Sequence, residues 1–192
     1  GLEYITSHTY TSPGVFTIQV AASVASGGCT IIGGDAQFSY IMSATPYPQG
    51  PPITAQTMFS RGDDWLSNHV PYSDSGAYYS DVNGKYREDC SGFVSMAWDL
   101  DYSLGTAALA SPSITTPVPG HDLSGIVPGD IILKPKIGKT IGHVFLFVAW
   151  ADNRAKATVM EETSNPYTYQ KTLPLKDFKG YGVYSYNNVI SG

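Results

Sequence analysis

Tyr86-Arg87-Glu88-Asp89-Cys90-Ser91-Gly92-Phe93-Val94 is the stretch from which the fold can be read. Up to Asp89 the residues are mostly polar. Beyond it, Phe93, Val94, Met96, Ala97, Trp98 and Leu100 are apolar and close to helical spacing. A loop therefore becomes a helix at Cys90, with Asp89 as its N-cap and Ser91-Gly92 as a small first turn. A cysteine in that place faces unpaired backbone N–H groups and the positive end of the helix dipole. Such a setting lowers a thiol pKa from ~8.5 into the range ~3.5–7.5, so the expectation is a nucleophilic thiolate. The competing reading is a small buried hydrophobe, the usual fate of an isolated cysteine. The choice depends on what the rest of the chain brings to Cys90.

Downstream, the chain is strand-rich. Gly129-Asp130-Ile131-Ile132-Leu133 reads as a short strand after a Pro-Gly turn. Ile141 to Trp150 is an apolar run with the length of a central strand, and Ala151 to Arg154 supplies a turn. Ala157–Thr163, Tyr167–Leu173 and Tyr181–Tyr186 are further strands. Residues 101–127 read as a long, mostly irregular connection with three prolines, suited to walling a cleft.

Upstream, Val70 to Arg87 reads as a loop. Ile53 to Asn68 reads as a helix, with Ala55, Met58, Phe59, Trp65 and Leu66 as its apolar set and Gly62 as a weak point. The proline-rich stretch from Pro46 to Pro52 marks a linker. Before it, almost uncharged sequence holds two strand candidates, Val15–Val20 and Ala36–Met42. The expected architecture is α+β: residues 53–192 put helices before an antiparallel sheet, and residues 1–52 form a β-rich extension and linker.

Composition narrows the function classes. The 192 residues are 42% hydrophobic and 14% charged, which supports a packed core and argues against disorder or a coiled coil. Net charge is −5 without a Lys/Arg cluster, which argues against nucleic-acid or anionic-membrane partners. No apolar run reaches the ~18 residues of a membrane helix. The two cysteines, Cys29 and Cys90, have no CxxC or His-rich companion, so neither a zinc site nor a cofactor is expected. They either pair with each other or remain free thiols; Cys90 is expected to be free.

A nucleophilic cysteine needs a base, and the base needs an orienting group. Of the four histidines, His8 and His121 lie in polar, loop-like sequence, and His69 sits where a helix-end cap is expected. His143 opens the apolar strand directly after Gly142, where an imidazole must find a polar partner or incur a desolvation cost. A satisfied core histidine is the alternative there.

Three segments together resemble the NlpC-type cell-wall cysteine peptidases: Asp89-Cys90-Ser91-Gly92-Phe93-Val94, Pro128-Gly129-Asp130-Ile131-Ile132, and Gly142-His143-Val144 with its strand. Trp65 with Val70-Pro71-Tyr72-Ser73 resembles the segment before the nucleophile. Residues 181–189 resemble the closing strand of a secreted actinobacterial or fungal branch. The likeness covers about residues 53–192. Separately, His8 to Val20 resembles the closing strands of a PKD-type β-sandwich repeat.

The resemblance implies a papain-like fold and hydrolysis of amide bonds in peptidoglycan stem peptides, often next to D-glutamate and diaminopimelate, by a secreted enzyme; a monomer is the expected state. It implies Cys90 as nucleophile, His143 as base and then acid, and Tyr72 as a tyrosine lining the site. The N–H groups of Cys90 and Ser91 are the expected oxyanion donors, and Asp89 caps the helix. Many family members carry a second histidine after the base; this chain has Glu161-Glu162 instead. Strand alternation sends these two to opposite faces, so only one can orient His143. On resemblance Glu161 is chosen, and Glu162 is expected to be a surface carboxylate. Two other readings stay open: a non-catalytic wall-binding or interaction module of the same fold, and a transglutaminase- or acyltransferase-like enzyme.

Overall fold

The computed structural model describes residues 14–19, 37–42, 47, 49–164 and 167–191. The chain forms two compact units, Gly1–Pro46 and Tyr47–Gly192. In the first, β1 (Gly14–Gln19) and β2 (Gln37–Met42) pair antiparallel, with Gly14 opposite Met42 and Gln19 opposite Gln37. Both match apolar stretches with high β-propensity. Cys29, His8 and most of the PKD-like stretch lie outside the described residues.

The second unit begins with α1 (Ala55–Ser67). The Thr54 hydroxyl caps it by accepting a hydrogen bond from the Thr57 N–H at 3.1 Å. Its buried stripe is Met58, Gly62 and Trp65. Gly62, the expected weak point, has a packing role. A Cβ there would lie 2.9 Å from the Met160 sulfur and 3.4 Å from the Phe93 ring, so its absence lets α1 approach the next helix and the sheet closely.

The segment expected to be a loop up to Arg87 contains a hairpin: β3 (Tyr78–Asp81) and β4 (Gly84–Arg87). The Asn83 N–H bonds the Asp81 carboxylate at 2.8 Å, and Gly84 takes a φ of 114° that closes the turn. Only Tyr86 is buried in β4, and its hydroxyl donates to the Leu100 carbonyl at 2.6 Å. With only Tyr86 buried, Tyr79 half-buried edge-on to Trp65, and polar flanks, the hairpin carries little apolar periodicity.

Helix α2 (Cys90–Ala97) follows, and all its residues are buried. The connection after it is more ordered than expected. It holds α3 (Thr106–Leu109) and β5 (Thr115–Pro117). Then come β6 (Ile131–Lys134), β7 (His143–Ala151), β8 (Lys156–Glu161), β9 (Tyr169–Pro174) and β10 (Gly182–Tyr186). They form one sheet in the order β5-β10-β6-β7-β8-β9, antiparallel at each pairing. The unit is α+β, with few helices on a mostly antiparallel sheet.

Alternation along β7 and β8 divides the core in two. Val144, Leu146 and Met160 pack with Cys90, Phe93 and the rest of α2. Phe145, Phe147 and Val159 pack with Phe178 and Val183 on the other face. Trp98, at the end of α2, stacks on Tyr186 with centroids 4.8 Å apart and donates its ring N–H to the Gly129 carbonyl at 3.2 Å. Fully buried aromatic pairs of this kind fix the helix axis, and hence the position of its first residue, against the sheet.

Candidate active site

Cys90 is the first residue of α2, and Asp89 is its cap. One Asp89 carboxylate oxygen accepts from the Ser91 N–H at 3.0 Å, the Gly92 N–H at 2.7 Å and the Ser91 hydroxyl at 2.8 Å. The Arg87 guanidinium closes the turn, reaching Asp89 at 3.2 Å, the Ser91 hydroxyl at 2.9 Å and the Leu104 carbonyl at 3.0 Å. Gly92 is dictated by the same turn: a Cβ would fall 1.9 Å from the Arg87 carbonyl oxygen. The Asp-Cys-Ser-Gly sequence is thus a tightly closed helix start.

The cysteine is a free thiol, but its state differs from the expected thiolate. It is only 5% exposed. Burial, reinforced by the Asp89 charge, pushes the thiol pKa up to about 12, against backbone hydrogen bonds from Val144 and Ser91 that favour the anion. Desolvation outweighs the helix start here, and the cap that forms the start also supplies an opposing charge. At neutral pH the resting group is a thiol.

The Val144 hydrogen bond places the sulfur at the mouth of β7, beside the residue that follows His143. The His143 ring packs edge-on to Phe145, with centroids 4.6 Å apart. Its Nε2 lies 2.5 Å from the Glu161 carboxylate, on the last residue of β8. Glu161 is 2% exposed, and Lys171 of β9 forms an ion pair with its other oxygen. Burial opposes ionisation of Glu161, yet the hydrogen bonds and charges of His143 and Lys171 prevail and hold its carboxyl below the usual range. Glu161 is therefore an anion that bonds Nε2; the structure brings His143 to Glu161 but not into hydrogen-bond contact with Cys90, and neither His143 nor Glu161 is among the residues lining the cleft over the thiol. Lys171 had no signal in the sequence beyond its period-two spacing from Tyr169.

Glu162 corrects an expectation. Far from being a surface carboxylate, it is fully buried, and neither carboxyl oxygen has a hydrogen-bond partner among the described residues. Burial and the nearby Asp89 and Glu88 charges push its pKa up to about 9. It is a neutral carboxylic acid at pH 7.

A cleft of about 540 Å³ opens above the thiol, lined by Tyr72, Cys90, Asp89, Ser91, Thr106 and Gly142 among others. Burial, followed by the charges of Cys90 and Asp74, raises the Tyr72 phenol to about 12, so it is a neutral donor at physiological pH. Ser91 lines the cleft, but its N–H is not a free oxyanion donor. It bonds Asp89 and also turns toward the Cys90 sulfur. The Cys90 N–H has no partner among the described residues. Gly142 is sterically required, because a Cβ would lie 2.3 Å from the Thr106 hydroxyl and 2.8 Å from the Lys136 nitrogen.

The remaining histidines stand apart from this cluster. His69 leaves α1 at a φ of 49°, its ring 3.2 Å from the Ser67 carbonyl, and His121 packs edge-on to Tyr184. Comparison of the chain with protein-family models, with curated proteins and with solved structures returns no match.

Proposed function

We propose that this chain is an NlpC-type, papain-like cysteine hydrolase that cuts amide bonds in peptidoglycan stem peptides outside the cell. The single observation that carries the reading is the His143–Glu161 pair, 2.5 Å apart, with His143 opening the strand whose second residue, Val144, bonds the Cys90 sulfur through its amide. A thiol, an imidazole and a buried carboxylate in that order are the parts of a nucleophile–base–orienter triad.

Because the resting group is a thiol, deprotonation accompanies attack. Cys90 and His143 share no hydrogen bond among the described residues, so a side-chain rotation must first bring Nδ1 to the sulfur; Nδ1 then takes the Sγ proton as sulfur bonds to the amide carbon. The oxyanion formed accepts hydrogen bonds from the Cys90 N–H and the Tyr72 hydroxyl. As the C–N bond breaks, the imidazolium proton passes to the leaving amine, and a thioester remains on Cys90. A water then gives one proton to His143 and attacks the thioester. The carboxylic acid departs as Sγ recovers that proton. Glu161 stays ionised throughout and holds the ring by Nε2.

The test is release of soluble peptides from purified cell walls. Wild type releases them, and Cys90→Ala does not. Equal behaviour of the two proteins ends the hydrolase reading. The depth of the sulfur favours one competing reading, a wall-binding module of the same fold. That module would bind wall fragments equally well with Cys90 alkylated or intact, and would release nothing.

A further inference from the structure

Glu161 serves two partners. His143 Nε2 lies 2.5 Å from one of its carboxylate oxygens, and Lys171 forms an ion pair with the other. The sheet register dictates this arrangement. Glu161 stands opposite Tyr169 of β9, and Lys171 is two residues further on, so it lies on the same face, diagonal to Glu161. His143 is the matching diagonal neighbour on β7. Lys171 is itself held. Its ammonium donates to the Tyr169 hydroxyl at 2.9 Å and lies over the Tyr169 and Phe145 rings, 4.9 and 5.8 Å from their centroids. Imidazole, carboxylate, ammonium and phenol thus form a continuous row from β7 to β9, and the ammonium takes part in no step of the chemistry above.

The row bears on the protonation of His143. The nucleophile starts as a buried thiol, so its base must be an uncharged imidazole; an imidazolium has no nitrogen free to take the Sγ proton. A lone buried carboxylate against Nε2 favours the imidazolium, and a cation on the far oxygen of that carboxylate opposes it. The other groups on this side do not replace that cation. Lys134, the cross-strand partner of His143 on β6, is exposed and screened by solvent. Tyr181, just before β10, packs on Phe145 and is a neutral phenol, raised by burial and by the Glu161 and Cys90 charges. Phe178, after β9, is apolar and packs on the same ring. From α2 comes only the neutral Cys90 thiol, bonded by Val144.

We infer that Lys171 is a positioning residue for the base: paired with Glu161, it fixes that carboxylate and balances its charge, so that His143 is held as the uncharged acceptor of the Cys90 proton. This role rests on the hydrolase reading, but the charge relation can be measured without turnover.

The pH dependence of kcat/KM on a soluble stem peptide is compared in wild type, Lys171→Met and Lys171→Arg. Methionine keeps most of the apolar stem and removes the charge. The acidic limb, which reports protonation of the free enzyme's base, should move to higher pH by about one unit in Lys171→Met and return in Lys171→Arg. Well below the limb the loss is then about tenfold, and on the plateau above it the rates converge. In Cys90→Ala, the ring-proton signal of His143, assigned by its loss in His143→Gln, is titrated by NMR with and without Lys171→Met. Its midpoint should rise by the same amount. Should Lys171→Met not fold, Lys171→Gln carries the same comparison. A uniform loss at every pH, or a limb or midpoint that stays in place, overturns the role of Lys171 and leaves the hydrolase reading standing as long as cleavage is seen. If nothing is cleaved but the midpoint still moves with the Lys171 charge, the Lys171–Glu161–His143 relation stands and the hydrolase reading fails. No cleavage with an unmoved midpoint overturns both.

Discussion

His143 and Glu161 are neighbours across two strands: the imidazole Nε2 lies 2.5 Å from a carboxylate that is 2% exposed. The β7–β8 register sets Leu146 opposite Met160 and Phe147 opposite Val159, and its continuation puts Glu161 beside Phe145, diagonal to His143. Diagonal pairs on one face are within reach of long side chains. The same register sends Glu162 to the other face, toward α2. One residue of slip would exchange the two carboxylates.

Glu161→Gln keeps the shape but removes the anion that orients the ring. We expect kcat to fall by roughly 10²–10⁴ with little change in KM, by analogy with loss of the orienting carboxylate in other triads. Steady-state kinetics on a soluble stem peptide checks this. A fall of less than threefold would show that His143 is held by its packing alone.

Glu161 also links stability to pH. Its folded pKa is depressed, so its contribution is present above the unfolded carboxylate value of ~4.3 and is lost as pH falls through the folded value. Urea midpoints of the wild type should drop more steeply below about pH 4.3 than those of Glu161→Gln. Parallel curves would contradict the assignment.

Glu162 has the opposite sign. Its folded pKa of about 9 lies above the unfolded value, so the folded state binds the extra proton. Stability therefore declines as pH rises from ~4.3 toward the folded pKa. Glu162→Gln removes that dependence and should stabilise the protein at pH 7 by roughly 3 kcal/mol, or about 5–10 °C in Tm. At pH 4 the two proteins should melt together, and a variant less stable at both pH values would refute the account.

The thiol of Cys90, raised to about 12, should alkylate with iodoacetamide at a rate that climbs steadily from pH 6 to 10, about tenfold per pH unit, without a neutral plateau. Asp89→Asn removes a charge that disfavours the thiolate, and should shift the profile to lower pH. A plateau near pH 7 in the wild type would instead reveal a standing thiolate–imidazolium pair.

Gly92→Ala would press a Cβ to 1.9 Å from the Arg87 carbonyl oxygen, and the backbone must move. We expect a loss above about 3 kcal/mol in chemical denaturation, well beyond the helix-propensity gain of about 1 kcal/mol. A stabilised variant would mean that the turn at Asp89 is not the one described.

The sequence by itself determined the local elements and their punctuation. The apolar run at Ile141–Trp150, the Pro-Gly turn before Ile131 and the capped start at Cys90 are written in short-range periodicity and turn chemistry, and each appears within a few residues of its expected place. The β3–β4 hairpin and β5 were not legible, because a short strand burying one or two side chains has no period to detect. Only the tertiary structure decided the site. Register selected Glu161 over Glu162, packing of the helix start against Val144 turned an expected thiolate into a buried thiol, and chain reversal brought Lys171 to Glu161. Burial and cross-strand neighbours arise from residues distant in the chain, and they set protonation states that short-range spacing does not encode.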